Sequence, residues 1–319
     1  AAALSLSAEV VRTWYQVRAA LARKNVLEAQ VRANRKVLML LEKRFATGQT
    51  RSVDTLRQRQ LLEATRQQLH AAASRIQVLK HQLAVLLGKT PRKAAGPEAI
   101  NSGNAPLPEL PPLPRTGLPS TLVRRRPDVR SAYRRLQAAD RELAVAISSR
   151  YPRLNLSAAL TSTTQGASTL FEDWVHSLSG DLAAPIFDAG RRAAEVDRSE
   201  ALRQQRLYEY GQLILTAFRE VEDALVQEDK QRRQLESLER QLRLAAESYA
   251  RLRVEYINGV GNFIDVLTAL TEMQQLRRDR ISAKLVLIEY RIALYRALAG
   301  SIDTPSTSGT AATTESDEG

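Results

Sequence analysis

Cysteine is absent from this 319-residue sequence, which removes disulfides, thiolate metal sites and cysteine nucleophiles together. Aromatic residues are scarce, at 5%, too few for an ordinary compact core. No run of eighteen apolar residues occurs, so the sequence holds no transmembrane helix. The three histidines, His70, His81 and His176, stand alone, without the spacing of a metal site or a catalytic triad. Gly259-x-Gly261 is not a nucleotide loop, because no strand precedes it. Glu172, Asp173 and Asp181 read as charges in and near a hairpin loop rather than as paired catalytic carboxylates. Nothing here points to an enzyme or to a cofactor.

Abundant Ala, Leu, Arg, Gln and Glu instead suggests long helices, and the mean hydropathy of −0.31 is that of a water-exposed protein. A net charge of +12 raises the question of nucleic acid. The basic residues, however, are interleaved with acids along every helix and lack stacking aromatics, so they read as solvated faces. The compact cluster Arg124, Arg125 and Arg126 reads as a local interhelical anchor. No nucleic-acid partner is expected.

The least helical stretch lies between Leu154 and Phe187. Leu154, Leu156, Ala158 and Leu160 alternate with Asn155, Ser157, Ala159 and Thr161, which is the period of a strand with one apolar face. After a polar, Gly-containing segment a second run begins at Trp174, with Leu178, Leu182 and Ile186 on one face and Ser177, Ser179 and Asp181 on the other. Each arm has about the ten residues of a transmembrane β-strand. The flanking helices carry seams of their own, so the apolar face has no obvious protein partner.

The helices announce themselves by spacing. Residues 1 to about 46 carry an apolar seam through Val10, Trp14, Val17, Leu21, Leu27, Val31, Leu38, Leu41 and Phe45, interrupted by Lys24 and Asn34. A turn at 47–50 leads to a helix from Ser52 to about Leu87, closed by Gly88. Prolines dominate 89–120, an extended strap that cannot be helix. A short helix is expected from Leu118. Another follows Arg126-Pro127-Asp128 with Val129, Leu136, Leu143 and Ala146 on one face. The longest helix runs from about Gly190 to Ile257, with a heptad seam Leu235, Leu238, Leu242, Ala245, Tyr249, Leu252, Tyr256. A turn at 258–261 precedes a last helix, from Phe263 to about Ala299, and 301–319 reads as a disordered acidic tail.

An internal repeat ties these elements together. A shift of 211 residues lays Phe45 on Tyr256, Gly48 on Gly259, Asp54 on Asp265 and Leu56 on Leu267, and keeps the seams in register. The same shift would put a partner for the β-hairpin before Ala1. The expectation is therefore a C-terminal portion of a two-repeat protein, lacking its first hairpin.

Several motifs in order then resemble one family. They are Gly117-Leu118-Pro119-Ser120 with Arg125-Arg126-Pro127-Asp128-Val129, Pro152-Arg153-Leu154-Asn155-Leu156, and Pro185-Ile186-Phe187-Asp188-Ala189-Gly190-Arg191-Arg192. Phe218 to Leu225 and Tyr256 to Leu267 complete them. Together they resemble the outer-membrane efflux family, TolC-like in its NodT/OprM branch. The resemblance implies a mainly α fold with one β-hairpin, in which long antiparallel α-hairpins continue a transmembrane β-barrel. It implies a homotrimer in the outer membrane of a Gram-negative bacterium, docked on a periplasmic adaptor and an inner-membrane pump. Drugs or other small toxic compounds would leave passively through the duct. With one hairpin per protomer a trimer would have too few strands for the family barrel, so the chain would be an incomplete protomer.

The implied domains are a first periplasmic helical hairpin (1–90), an equatorial linker (91–120), short second-repeat helices (121–152), the transmembrane hairpin (153–188), a second helical hairpin (189–300) and the tail (301–319). Leu154, Leu156, Leu160, Leu178, Leu182 and Ile186 would face lipid. Asp54, Tyr256 and Asp265 would form the periplasmic gate, and the turns at Gly48, Gly259 and Val260 would touch the adaptor. Gly261 and Thr268 replace an arginine and an aspartate of the family gate, so the closing network should be thin. For Asp54 and Asp265 the residues alone equally allow a simpler role, complementing a helix dipole. A soluble coiled-coil scaffold with a basic surface is the competing reading; it accounts for the heptads but not for the hairpin, the strap or the ordered motifs.

Overall fold

The computed structural model describes residues 2–91, 107–113, 126–162 and 174–298. Within them the chain forms α1 (Ala2–Ala46), α2 (Ser52–Leu86), α3 (Pro127–Ser148), β1 (Arg153–Ser162), β2 (Trp174–Ala183), α4 (Arg191–Ile257) and α5 (Phe263–Leu298). The short helix expected from Leu118, most of the strap and the C-terminal tail lie outside the described residues. No helix among the described residues is long and apolar enough to cross a membrane.

Two compact units divide the chain, one made of 1–122 with 217–319 and the other of 123–216. In the first, α1 packs along α2 and along α5. Val17 of α1 meets Leu79 and Leu83 of α2, and Leu41 meets Phe263 and Val266 of α5. Strap residue Leu107 is buried with Ala19, Ile288 and Ile292. The heptad positions of α4 from Leu235 to Tyr256 are all half-buried, as a seam shared with one neighbour should be. Phe45, expected on the α1 seam, is 49% exposed, because the helix runs out into its turn one residue later.

The interruption at Asn34 has a physical purpose. Asn34 is fully buried, donating to Thr65 Oγ1 (2.9 Å) and accepting from Gln274 Nε2 (2.7 Å), while its carbonyl accepts from Gln58 (3.0 Å). Gln30 donates to the Gln274 carbonyl and accepts from Arg278 Nη1 at 2.6 Å. Burial, with Arg23 nearby, lowers the Arg278 pKa from its ordinary value. A polar layer of this kind is satisfied in one register of α1, α2 and α5, and sliding any helix by a turn would orphan it.

Higher in the same unit, Glu228 of α4 and Arg291 of α5 form a bidentate ion pair (2.6 and 2.7 Å), both buried. Hydrogen bonding to Glu228 raises the Arg291 pKa. Arg291 Nη1 also donates to the carbonyl of Pro111 (2.8 Å), which fixes the strap to the helices. Proline cannot donate, but its carbonyl remains a good acceptor.

The second unit holds α3, the hairpin and the start of α4. Pro127 opens α3 at a position where its missing N–H costs nothing. Asp128 accepts from the Val129 N–H and pairs with Arg126, and the Arg126 hydrogen bond lowers its pKa. Val129, Ala139 and Ala146 form the buried stripe of α3. Strands β1 and β2 pair antiparallel from Arg153↔Ala183 to Ser162↔Trp174.

Candidate functional site

Two regions carry the residues singled out from sequence. The first is the pair of helical turns. Helix α1 ends in a Schellman motif: Gly48 N donates to Phe45 O (3.0 Å) and Gln49 N to Arg44 O (2.8 Å). Helix α4 ends in the same way, with Gly259 N to Tyr256 O (3.2 Å) and Val260 N to Glu255 O (3.0 Å). Gly48 and Gly259 both take left-handed φ, 72° and 79°, where a side chain would be strained. The two motifs are 211 residues apart, so the repeat read from sequence is also a repeat of backbone.

The side chains around the turns are not equivalent. Thr50 Oγ1 lies 2.9 Å from Tyr256 Oη and donates to Asp54 Oδ2 (3.3 Å), linking the α1–α2 turn to the end of α4. Arg51 reaches the same carboxylate through Nε and Nη2, both at 3.3 Å. Asp54 is buried and Tyr256 half-buried, against Phe263 at 5.5 Å between ring centroids and under the Arg44 guanidinium at 5.0 Å. Asp265 is exposed, and no side-chain partner for it is found among the described residues. The structure thus joins Asp54 and Tyr256 and leaves Asp265 apart. Thr50, Arg44 and Arg51 were missed; in sequence they are ordinary polar turn residues, and only the fold places them on Tyr256 and Asp54. Gly48, Gly259 and Val260 are exposed, Val260 at 84%.

The second region is the hairpin. Register puts Leu154, Leu156, Ala158 and Leu160 on the same face as Leu178 and Leu182. The opposite face carries Asn155, Ser157, Ser177, Ser179 and Asp181, and there Ser157 and Ser179 hydrogen-bond at 2.7 Å. Leu156 and Leu178 are 74% and 83% exposed, so among the described residues of its unit the apolar face is left uncovered. Strand β2 ends at Ala183, ahead of Pro185, which cannot donate to a ladder, so Ile186 lies beyond the strand and is 98% exposed. The described residues contain no cluster of ligands able to hold a metal ion.

Comparison with known proteins gives the setting of this geometry. A family model described as outer membrane efflux protein matches residues 1–89 and 118–300. The pyoverdine export outer membrane protein OpmQ of Pseudomonas aeruginosa is 30% identical over 298 residues, 93% of this chain and 62% of the relative. The cation efflux system protein CusC of Escherichia coli K12 is 26% identical over 297 residues, 92% and 64% of the two chains. Among solved structures, the outer-membrane channel OprN superposes with a TM-score of 0.84 at 27% identity, covering 93% of this chain and 66% of that one. The chain therefore spans 62% and 64% of the length of these two curated relatives.

Proposed function

Because the chain belongs to the outer membrane efflux protein family, we propose that it acts as the exit-duct component of a tripartite efflux system. The hairpin contributes to a transmembrane β-barrel and the long helices line a periplasmic conduit, in a homotrimer. An adaptor grips the turns at Gly48 and Gly259, and an inner-membrane pump supplies the energy. The cargo is a small toxic compound. The names of relatives, pyoverdine export and cation efflux, differ in cargo, which fits a duct whose selectivity belongs to its pump.

The observation that carries this reading is the unpartnered leucine face of the hairpin, ten residues to each strand. Leaving a leucine in water rather than burying it costs about 1.5–3 kcal/mol. Five on one face would be a liability in water and are a requirement in lipid. In the turns, Tyr256, Thr50 and Asp54 act as the closed-state latch, and Asp265 offers an unpaired carboxylate at the narrow tip, where it attracts cations.

Cell fractionation tests the reading. The protein should sediment with outer membranes, resist extraction by salt and enter solution only with detergent. Loss of its gene should raise retention of a fluorescent efflux substrate. Release by salt alone would favour the basic coiled-coil scaffold instead.

A further inference from the structure

The junction where the hairpin meets the helices has a chemistry of its own. Between β2 and α4, Ala189 and Gly190 take left-handed φ in succession, 53° and 83°, and turn the chain sharply. Asp188 holds the turn: its carbonyl accepts from Arg191 N (3.1 Å) and its Oδ2 from Arg192 N (3.3 Å). The turn leaves Ile186 98% and Phe187 89% exposed, the most exposed large apolar side chains described. Beside them lies a pocket of about 170 Å³ whose walls include Arg150, Arg192, Ile186, Phe187, Pro185 and Asp188.

Its charge is unbalanced. Arg150 is exposed and no ion pair engages it among the described residues. Arg192 approaches Asp188 at 3.6 Å through Nε, and its Nη1 has no hydrogen-bond partner. Two guanidinium groups therefore face one carboxylate, next to an apolar rim. The pocket also sits at the end of the leucine face, since Leu154↔Leu182 is the last leucine pair before the strands open. A cationic recess, an apolar rim and an adjoining lipid-facing band fit an amphiphile with an anionic head.

We propose that this pocket binds the phosphate of an anionic membrane phospholipid. Arg150 and Arg192 take the phosphate oxygens, and Ile186 and Phe187 lie against the first carbons of the acyl chains. Asp188 sets the charge balance: one carboxylate beside two guanidiniums leaves a net charge of +1, which a singly charged phosphodiester neutralises. The proposal rests on the hairpin lying in the membrane as described above.

The test is flotation of the full chain with vesicles of phosphatidylcholine alone or mixed with phosphatidylglycerol, at one ionic strength. Phosphatidylglycerol should strengthen partitioning, and Arg150→Gln and Arg192→Gln should each remove about fivefold of that gain. Arg150→Gln is the safer variant, because Arg150 is exposed. Phe187→Ser should weaken binding to both vesicles. An unchanged gain in both arginine variants would overturn the proposal. So would abolition of the gain by inorganic phosphate, which would mark a free-anion site. A changed oligomeric state by light scattering, with lipid preference intact, would assign the surface to another copy of the chain and also overturn it. The pair Leu156→Asp and Leu178→Asp separates the two levels. If these leave binding to neutral vesicles as it was, the membrane reading of the hairpin fails and the lipid site falls with it. If they abolish that binding while the arginine variants change nothing, only the lipid site falls.

Discussion

The two helical hairpins, α1–α2 and α4–α5, end in the same backbone turn yet are held by different chemistry. Each turn uses a left-handed glycine and the same pair of carbonyl acceptors. The polar anchors, by contrast, have changed places between the repeats. Glu228 and Arg291 form a buried ion pair in the second hairpin, where the 211-residue shift gives Val17, in an apolar cluster, and Lys80 in the first. Asn34, Gln58 and Thr65 build the polar layer around the first hairpin, where the second has Ala245, Ala269 and Leu276. Backbone geometry at a turn is fixed by a few hydrogen bonds and one φ angle, so it survives duplication. Interior polar groups are free to move, provided that each pair or layer moves as a whole.

Removing half of the buried pair should have the largest effect. Arg291→Met leaves the buried Glu228 with only the half-solvated Arg232 (3.1 Å) as a partner and should cost about 3 kcal/mol of unfolding free energy in urea titration. Replacing both with apolar residues, Glu228→Val with Arg291→Leu, should recover most of that loss. Failure to recover would mean that the strap contact of Arg291 with Pro111, rather than the charge pair, dominates.

Asn34→Ala comes next. It leaves the Gln274 amide and the Thr65 hydroxyl short of partners and should cost about 1–3 kcal/mol. Thr65 keeps its bond to the Leu61 carbonyl, which places the effect toward the lower end. Gly48→Ala and Gly259→Ala should each cost about 1–2 kcal/mol, and equally, because neither meets a neighbouring atom and both suffer only from φ. Unequal losses would show that the turns are not the same structure.

The smallest and sharpest contrast is between the two aspartates. Asp54→Asn should cost up to about 1 kcal/mol, since its ion-pair partner Arg51 is itself solvated. Asp265→Asn should stay within about 0.5 kcal/mol, since Asp265 is exposed and has no side-chain partner among the described residues. Differential scanning calorimetry on both variants decides whether the latch is confined to the first turn.

Much of this architecture was legible because it rests on local rules. Glycine after an apolar seam marks the helix ends at Gly48, Gly88 and Gly259, and strict alternation marks both strands. Partners distant in sequence were not legible. Glu228 and Arg291 stand among dozens of similar charges on helices that look solvated throughout, and nothing local separates the buried pair from its exposed neighbours. Thr50 is a turn residue until the fold brings Tyr256 to it. Ile186 keeps the spacing of Leu178 and Leu182, but Pro185 ends the ladder before it, so periodicity overran a backbone stop. Of the candidate gate, Asp54 and Tyr256 come together and Asp265 does not, a distinction that depends on Thr50, whose repeat equivalent is Gly261.

The central claim is that the hairpin turns its leucine face to lipid. The absence of cysteine from these 319 residues makes it directly measurable, because every cysteine introduced here is unique within them. Leu154→Cys, Leu156→Cys and Leu178→Cys, against Asn155→Cys, Ser157→Cys and Ser179→Cys, would each carry a nitroxide in native outer membranes. Collision with oxygen and with a water-soluble nickel chelate would then be compared. The account predicts a period of two, oxygen dominating at the leucine positions and nickel at the polar ones. Equal access to nickel at all six positions would contradict it.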